Sequence, residues 1–512
     1  MTHPSTAVPP PASPAASAPS APSAPSAPAD PAPPSGGPSG SLAKGQIGTF
    51  DLVFFVVAAA APLTVLAGVA PFAIGIGGPG TPLGYLVSGA LLVLFAAGFT
   101  AMSRYVRNAG AFYAYVARGL GRTLGVATAY LATLSYNLIA PGVAAGFGYF
   151  ASTTLSDLTG AQLPWWPLST LCVLGTGVLG WLRVTLSAKV LGVALVLEVL
   201  VLLVMDVGVL ADRGTAALDI TSFDPSVLSS SGGMAGMFVL VIGAFTGFEA
   251  TAIYAEEARD PERTVPRATF IAIGFLALFY AAGVWILMGG FGTDRSVSMA
   301  RSSDGPQLTF HAAERFVGPW LADSMHVLIV VSAFAATLAF HNAAARYLYA
   351  LGREGLLPRR LGRVSARQGS PVTAVVAQTV FGLVIVVGGA LIDADPYAEI
   401  FLWTNSTGVL GIMIMQALAA LAVCFFFRRD RRGMSVWRVA VAPLIAFVGL
   451  ALLSVLATLH FDLLTGRTGA VNAALLVPLP VVLVAGFVVA LRIRRADPGR
   501  YARLTEVDVE RD

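Results

Sequence analysis

The sequence predicts an all-α polytopic membrane protein with twelve transmembrane helices. Three observations carry this. The chain is 56% hydrophobic and 12% charged, with a mean hydropathy of +0.75. A soluble domain carries roughly twice that charged fraction, so lipid must solvate much of this surface. Long apolar stretches alternate with short polar connections along the chain, and the basic residues gather on one side of that alternation.

Residues 1–43 stand apart as Pro/Ala/Ser repeats ("APSAPSAPSAPADPAPP") with almost no charge and, between Val8 and Leu42, no large apolar side chain. Such a tail has nothing to bury and is expected to be extended, solvated and disordered. It has neither the basic region nor the apolar core of a cleaved export signal.

A membrane-crossing helix needs about 20 mostly apolar residues. Twelve stretches qualify: 50–76, 82–103, 124–154, 166–184, 188–210, 234–256, 267–291, 319–350, 372–392, 398–427, 436–459 and 471–492. Residues 110–122 ("GAFYAYVARGLGR") read instead as a short amphipathic helix on the membrane surface. The spans divide the chain into 44–211 (spans one to five), 212–427 (six to ten), 428–495 (eleven and twelve) and a C-terminal tail, 496–512. No connection is long enough for a soluble domain.

With the N-terminus in the cytoplasm, 27 of the 32 Lys and Arg fall inside and five outside. The inside set includes Arg104, Arg107, Arg118, Arg122, Arg183, Lys189 and the stretches Arg353 to Arg367, Arg428 to Arg432 and Arg492 to Arg503. The outside five are Arg213, Arg295, Arg301, Arg315 and Arg467. This is the asymmetry of a twelve-span protein with both termini cytoplasmic, and one span more or fewer scrambles it. The pI of about 9.1 therefore reports topology, not affinity for nucleic acid.

Other chemistries find no support. Cys172 and Cys424 lie in apolar runs and read as packing residues, and no metal-ligand cluster or cofactor motif is present. The five histidines are scattered, and HExxH, GxSxG, paired-Asp and Walker A signatures are missing, so neither an enzyme nor an ATP-driven pump is expected. A channel would want a repeated filter loop, which is also missing.

Transporters bind where their helices break. In the first span, "LVFFVVAAAAPLTVLAGVAPFAIGIGG", Pro62 sits mid-helix and removes a backbone hydrogen bond. In lipid the freed groups need new partners, so such breaks line protein-enclosed cavities. In the sixth span, "MFVLVIGAFTGFEATAIYAEE", Gly243, Thr246 and Gly247 cluster halfway and Glu249 follows. Spans one and six are five apart, so repeats of spans 1–5 and 6–10 would have opposite membrane orientation. Proline and glycine also kink or pack membrane helices without binding anything. The matched pair favours a site.

Four segments carry a family resemblance: "GPGTPLGYL" before the second span, "RYVRNAGAFYAYVARGLGRTLG" before the third, "GAFTGFEATAIYAEEARDPERTVPRA" through the sixth, and "ARYLYALGREGLLP" closing the eighth. With these the chain resembles the amino acid–polyamine–organocation permeases over residues 45 to 495. The resemblance implies the leucine-transporter (LeuT-type) fold, a 5+5 inverted repeat, here followed by two C-terminal helices. It implies secondary transport of amino acids or related amines across the bacterial inner membrane, by proton coupling or exchange. A polyamine or organocation transporter, or a membrane sensor that binds an amino acid without moving it, shares the same site.

The substrate site implied by the resemblance lies between the broken helices. Around Ala61 and Pro62, the N–H groups of Leu63, Thr64 and Val65 are expected to hold a carboxylate. The carbonyls of Ile242, Gly243 and Ala244, with Gly247 beyond them, are expected to accept from an ammonium. Phe245 either closes over the ligand, as an aromatic does in similar permeases, or is an ordinary lipid- or core-facing side chain. Tyr136 in the third span is a wall candidate. The mostly apolar sixth-span wall points to a neutral or hydrophobic substrate side chain, though a cationic amine could pair with Glu249.

Coupling falls to the buried carboxylates, which are functional by default in a membrane span. These are Glu198 in the fifth span and Glu249 in the sixth. On the family pattern Glu198 stands where a proton-coupled relative has a lysine that imitates a sodium ion. A glutamate cannot imitate a cation, but a buried one can carry a proton. Each is either the proton-responsive group or a hydrogen-bonded strut between helices. Sodium ranks lower, because the eighth-span hydroxyls of Ser332 and Thr337 are five residues apart and share no clean face. His341 and Asn342 read as packing or gating residues. The loop charges Glu256, Glu257, Arg259, Asp260, Glu262, Arg263 and Arg267, with Arg346, Arg353 and Glu354, either form inner-gate ion pairs or only fix topology.

Overall fold

Apolar runs of good helix formers make the elements, and proline and glycine end them. The computed structural model describes residues 48–106, 112–182, 188–230, 232–249, 251, 258–365 and 370–504, with backbone alone at 188–191, 229, 230 and 503. The Pro/Ala/Ser tail, Arg107, Arg183, Glu256, Glu257, Arg367 and residues 505–512 of the C-terminal tail lie outside the described residues.

The first span is three helices, α1 (Thr49–Ala60), α2 (Pro62–Gly68) and α3 (Ala70–Gly77). Then come α4 (Thr81–Met102), α5 (Phe112–Leu120), α6 (Arg122–Thr159), α7 (Trp165–Trp181), α8 (Ala188–Arg213), α9 (Pro225–Ser230) and α10 (Met234–Gly243). After the sixth span follow α11 (Pro261–Phe291), α12 (Thr293–Ala300), α13 (Leu308–Phe316), α14 (Pro319–Arg353) and α15 (Val372–Leu391). A π-turn (Pro396–Phe401) opens α16 (Leu402–Phe426). The chain ends with α17 (Ala442–Leu459), α18 (Asp462–Thr465), α19 (Ala470–Leu476), α20 (Pro478–Ala496) and α21 (Pro498–Arg503).

Ten helical stretches among the described residues are long and apolar enough to cross a bilayer, and each matches one predicted span. The other two predicted spans fall short of that length among the described residues. Helix α7 has 17 residues, and α10 stops after 10. Glycine explains the second case: after Gly243 the chain turns tightly, and Gly247 takes a φ of +115°, which an L side chain rarely adopts. The protein is thus an all-helical polytopic membrane protein with about ten full-length spans.

Helix α8 shows how the bundle sorts its faces. Val193, Val196, Leu200, Leu203 and Val207 are exposed and apolar, a stripe suited to lipid. Leu195, Glu198, Leu202, Met205, Asp206 and Val209 are buried on the other side. Two of the three carboxylates of this helix, Glu198 and Asp206, therefore face protein, while Asp212 near its end is exposed.

One expectation is corrected. Helix α5 forms where a surface helix was predicted, but Phe112 to Ala117 are all buried. Phe112 packs edge-on against Phe95, and Tyr115 lies beside Phe99. Its apolar face is covered by the bundle instead of lying in lipid headgroups.

Candidate functional site

The first-span break is built by two residues. Pro62 disfavours a helical conformation at the residue before it, and Ala61 takes up a left-handed one, φ 48° and ψ 72°. That conformation costs a non-glycine residue about 1–2 kcal/mol. A second kink follows at Val69 (φ −115°), where Pro71 cannot donate to the turn before it. The carbonyls this exposes are captured from outside the helix: Leu66 O accepts from the Thr309 hydroxyl (2.9 Å) and Gly68 O from the Tyr397 hydroxyl (2.9 Å).

The two breaks lie against each other. A Cβ at Gly247 would stand 3.4 Å from the Ala59 Cβ. Ala61, Pro62, Leu63, Thr64 and Val65 on one side, and Ile242, Ala244, Phe245 and Glu249 on the other, are all buried. Tyr280 of α11 joins them, its hydroxyl 3.5 Å from Ala60 O and its ring edge-on to Phe245 at 6.0 Å. Phe245 is core-facing, not lipid-facing.

Of the three expected free donors, two have acceptors. The N–H of Leu63 donates to Glu198 Oε2 (3.2 Å), and that of Val65 to Ala61 O (3.1 Å). The carbonyls of Ile242 and Gly243 likewise accept from the N–H groups of Phe245 (3.1 Å) and Thr246 (3.0 Å). These bonds tighten the turn where open carbonyls were expected.

Glu198 therefore reaches into the first-span break, with Ser332 of α14 beside its carboxylate. Ser332 also accepts from the Thr64 hydroxyl (2.8 Å), tying α14 to α2. Thr337 donates back to Ala333 O of its own helix and takes no part.

Glu249 serves the other break. Its Oε1 accepts from the Tyr136 hydroxyl (2.6 Å) and its Oε2 from the Gly247 N–H (2.9 Å). The Tyr136 ring stacks on Tyr347 at 5.1 Å. Among the described residues neither Glu198 nor Glu249 has an ion pair with a basic side chain, and no group of three or more ligating side chains could hold a metal. His341 is buried, and with Asn342 it packs beside Gly180. Of the rim charges, Arg104 meets Glu262, with a 3.7 Å ion pair and a hydrogen bond to its carbonyl, and Arg263 lies 3.8 Å from Asp260.

Residues 51–498 match the amino acid permease family. The chain belongs to this family. It is a multi-pass membrane permease that carries amino acids by secondary transport, and it is not an enzyme. It is 24% identical over 406 residues to a branched-chain amino acid permease of Bacillus subtilis (strain 168), covering 74% of this chain and 81% of the relative. A branched-chain amino acid permease of Lactococcus lactis subsp. cremoris (strain MG1363) is 22% identical over 317 residues, 57% of this chain and 64% of the relative. An uncharacterized transporter of Mycobacterium tuberculosis (strain ATCC 25618 / H37Rv) is 30% identical over 319 residues, 57% of this chain and 63% of the relative.

Several residues around the two breaks escaped the sequence reading. Tyr280, Thr309 and Tyr397 sit in ordinary apolar or loop contexts, and no local pattern marks a hydroxyl that will reach another helix's carbonyl. Tyr347 lies in the "ARYLYALGREGLLP" segment, but nothing there marks its stack on Tyr136. Asp206 did carry a signal, a lone acid in an apolar span, of the kind that singled out Glu198.

Proposed function

We propose that this permease imports neutral amino acids with branched or other apolar side chains, coupled to protons, by alternating access. The proposed frame has twelve spans, two inverted five-helix repeats followed by two C-terminal helices, with both termini on the cytoplasmic side of the cell membrane. The observation that carries the reading is the bond from the Leu63 N–H to the Glu198 carboxylate at the first-span break.

The bond supplies a coupling mechanism. A substrate carboxylate at the break competes with ionised Glu198 for one donor, and the two negative charges repel. Protonating Glu198 weakens its claim on the Leu63 N–H and removes the repulsion. By linkage, a proton on Glu198 then favours substrate and substrate favours the proton. Release of both on the cytoplasmic side restores the Leu63–Glu198 bond. Ser332 keeps the carboxyl oriented, and the Glu249–Tyr136 bond holds the sixth-span turn that forms the opposite wall.

The apolar surroundings support an apolar substrate side chain: Phe245, Ile242 and Val409, the last packed on Gly243, are buried at the sixth-span break. The two relatives called branched-chain amino acid permeases agree with that class. The test begins with a thermal-shift screen of the purified protein against the twenty amino acids, polyamines and related amines, since a ligand of the native state raises its melting temperature. Leucine, isoleucine and valine should give the largest shifts. Labelled leucine should then accumulate in liposomes when the outside is made acidic. A hit confined to polyamines would overturn the substrate class, binding without net translocation would make the protein a sensor, and uptake indifferent to the gradient would remove proton coupling.

A further inference from the structure

Asp206 is the one acidic side chain on the buried face of α8 that the mechanism above leaves unused. It is 7% exposed, and its Oδ1 has no hydrogen-bond partner. Its Oδ2 lies 3.9 Å from where a Cβ of Gly283 would stand, and the same point is 2.9 Å from Leu66 Cδ1. The missing side chain at Gly283 thus leaves the carboxylate facing α2, the segment that bears the Leu63 donor. Asp206 is eight residues beyond Glu198, about 12 Å along the helix, towards the end at Arg213 that is external in the proposed orientation.

The neighbouring titratable groups are otherwise engaged. Tyr280 of α11 points its hydroxyl at Ala60 O. His326 of α14 faces Asp157 at 3.5 Å and stacks on Phe310. On α13, His311 pairs with Asp304 at 3.3 Å, and Glu314 and Arg315 are exposed. Helix α2 contributes no titratable side chain, and Asp51 of α1 lies near the opposite end of the bundle. None of these bonds to Asp206 among the described residues. A structural carboxylate in a membrane bundle would have its oxygens satisfied. An unsatisfied one is explained by a ligand it takes and gives up.

We propose that Asp206 is the outer carboxyl of a two-step proton path whose inner end is Glu198. When the permease opens outward and admits water, Asp206 takes a proton from the external solution, and water carries it on to the Glu198 carboxylate. Asp206 returns to its ionised form, so proton and charge balance. This rests on the proton-coupled reading of the permease.

The test compares wild type, Asp206→Asn, Asp206→Glu and Glu198→Gln, each reconstituted full length in liposomes. Leucine uptake driven by an acidic exterior is measured beside gradient-free leucine exchange. Asp206→Asn should lose the stimulation by external acid yet keep exchange, with a melting temperature no lower than wild type because an unpaired buried charge has been removed. Asp206→Glu should restore stimulation with a shifted midpoint in the profile against external pH. That shift keeps the inference falsifiable if the Asn variant fails to fold, since an unmoved midpoint overturns it. Normal stimulation in Asp206→Asn, with stimulation lost in Glu198→Gln, overturns the role of Asp206 and leaves proton coupling standing. No stimulation in the wild type overturns both.

Discussion

The hydroxyl of Tyr136 donates to Oε1 of Glu249 at 2.6 Å, while Oε2 of the same carboxylate accepts from the Gly247 N–H at 2.9 Å. One side chain thereby ties α6 to the turn that follows α10. Both of its oxygens are in use, and in the proposed mechanism Glu249 is a strut of the sixth-span break while Glu198 faces the Leu63 N–H.

Removing the hydroxyl tests this strut. Tyr136→Phe should lower stability by about 1.5–3 kcal/mol, the range for hydrogen bonds to charged groups, read as a lower melting temperature in detergent. Glu249→Gln keeps an acceptor for Tyr136 but turns an amide N–H₂ towards the Gly247 N–H, so it should also destabilise. The double variant should be less than additive, with a coupling of about 0.5–3 kcal/mol. Strict additivity would show that Tyr136 and Glu249 act independently.

Ala61 carries the first-span break in a left-handed conformation (φ 48°). Ala61→Gly removes the steric cost but adds unfolded-state entropy, so its stability should stay within about 1 kcal/mol of wild type. Ala61→Val places a β-branched side chain there and should cost more than Ala61→Gly, with uptake falling in step. Equal melting temperatures for the Gly and Val variants would mean that the left-handed turn is not what holds the break open.

The breaks were legible because proline and glycine act locally: Pro62, Gly243 and Gly247 dictate backbone geometry wherever they sit. The apolar runs likewise set ten full-length spans, since length and hydropathy are local quantities. Less visible was who would satisfy the freed groups. The Leu63 N–H meets a carboxylate 135 residues away, and the Gly68 carbonyl meets a hydroxyl 329 residues away. Such pairings depend on packing, which no window of sequence contains. The same limit explains α5, whose amphipathic pattern fits a lipid surface and a protein groove equally well. Asp206 is the opposite case: its signal matched that of Glu198 and differed only in lying outside a family motif.

Gly247 combines a φ of +115° with an approach to Ala59 that leaves 3.4 Å for an added Cβ. The space tolerates a methyl group; the dihedral does not. Gly247→Ala should therefore destabilise by about 1–3 kcal/mol, the cost of a strained backbone. It should also reduce leucine-induced thermal shifts, because the turn positions the wall opposite Leu63. Unchanged ligand shifts in this variant would separate the turn from the binding site.

The loop after α8 offers a pH-dependent contact away from the membrane. Hydrogen bonds from the hydroxyls of Thr221 (2.6 Å) and Thr293 (2.8 Å), with the Thr221 N–H (3.1 Å), hold the Asp219 carboxyl below its usual range. A carboxyl lowered on folding adds stability above its unfolded value, about 3.9, and that stability is lost as pH falls through the lower folded value. The melting-temperature advantage of wild type over Asp219→Asn should be present at pH 7 and shrink below about pH 4. An advantage independent of pH would mean the carboxylate charge does not hold the loop on α12.

The bonds of Ser332 set up a test of sodium dependence. Its hydroxyl oxygen accepts from Thr64 at 2.8 Å, and Thr337, the second hydroxyl weighed for a cation, is committed to Ala333 O. Replacing external sodium with choline at fixed pH should therefore leave leucine uptake unchanged. Ser332→Ala should lower the melting temperature through loss of one interhelical hydrogen bond, on average about 0.6 kcal/mol within a membrane. Because Ser332 also lies beside Glu198, the same variant should move the midpoint of uptake against external pH while leaving sodium indifference intact. Uptake that collapses in choline would assign the cation role to these hydroxyls after all, with Glu198 as part of a sodium site.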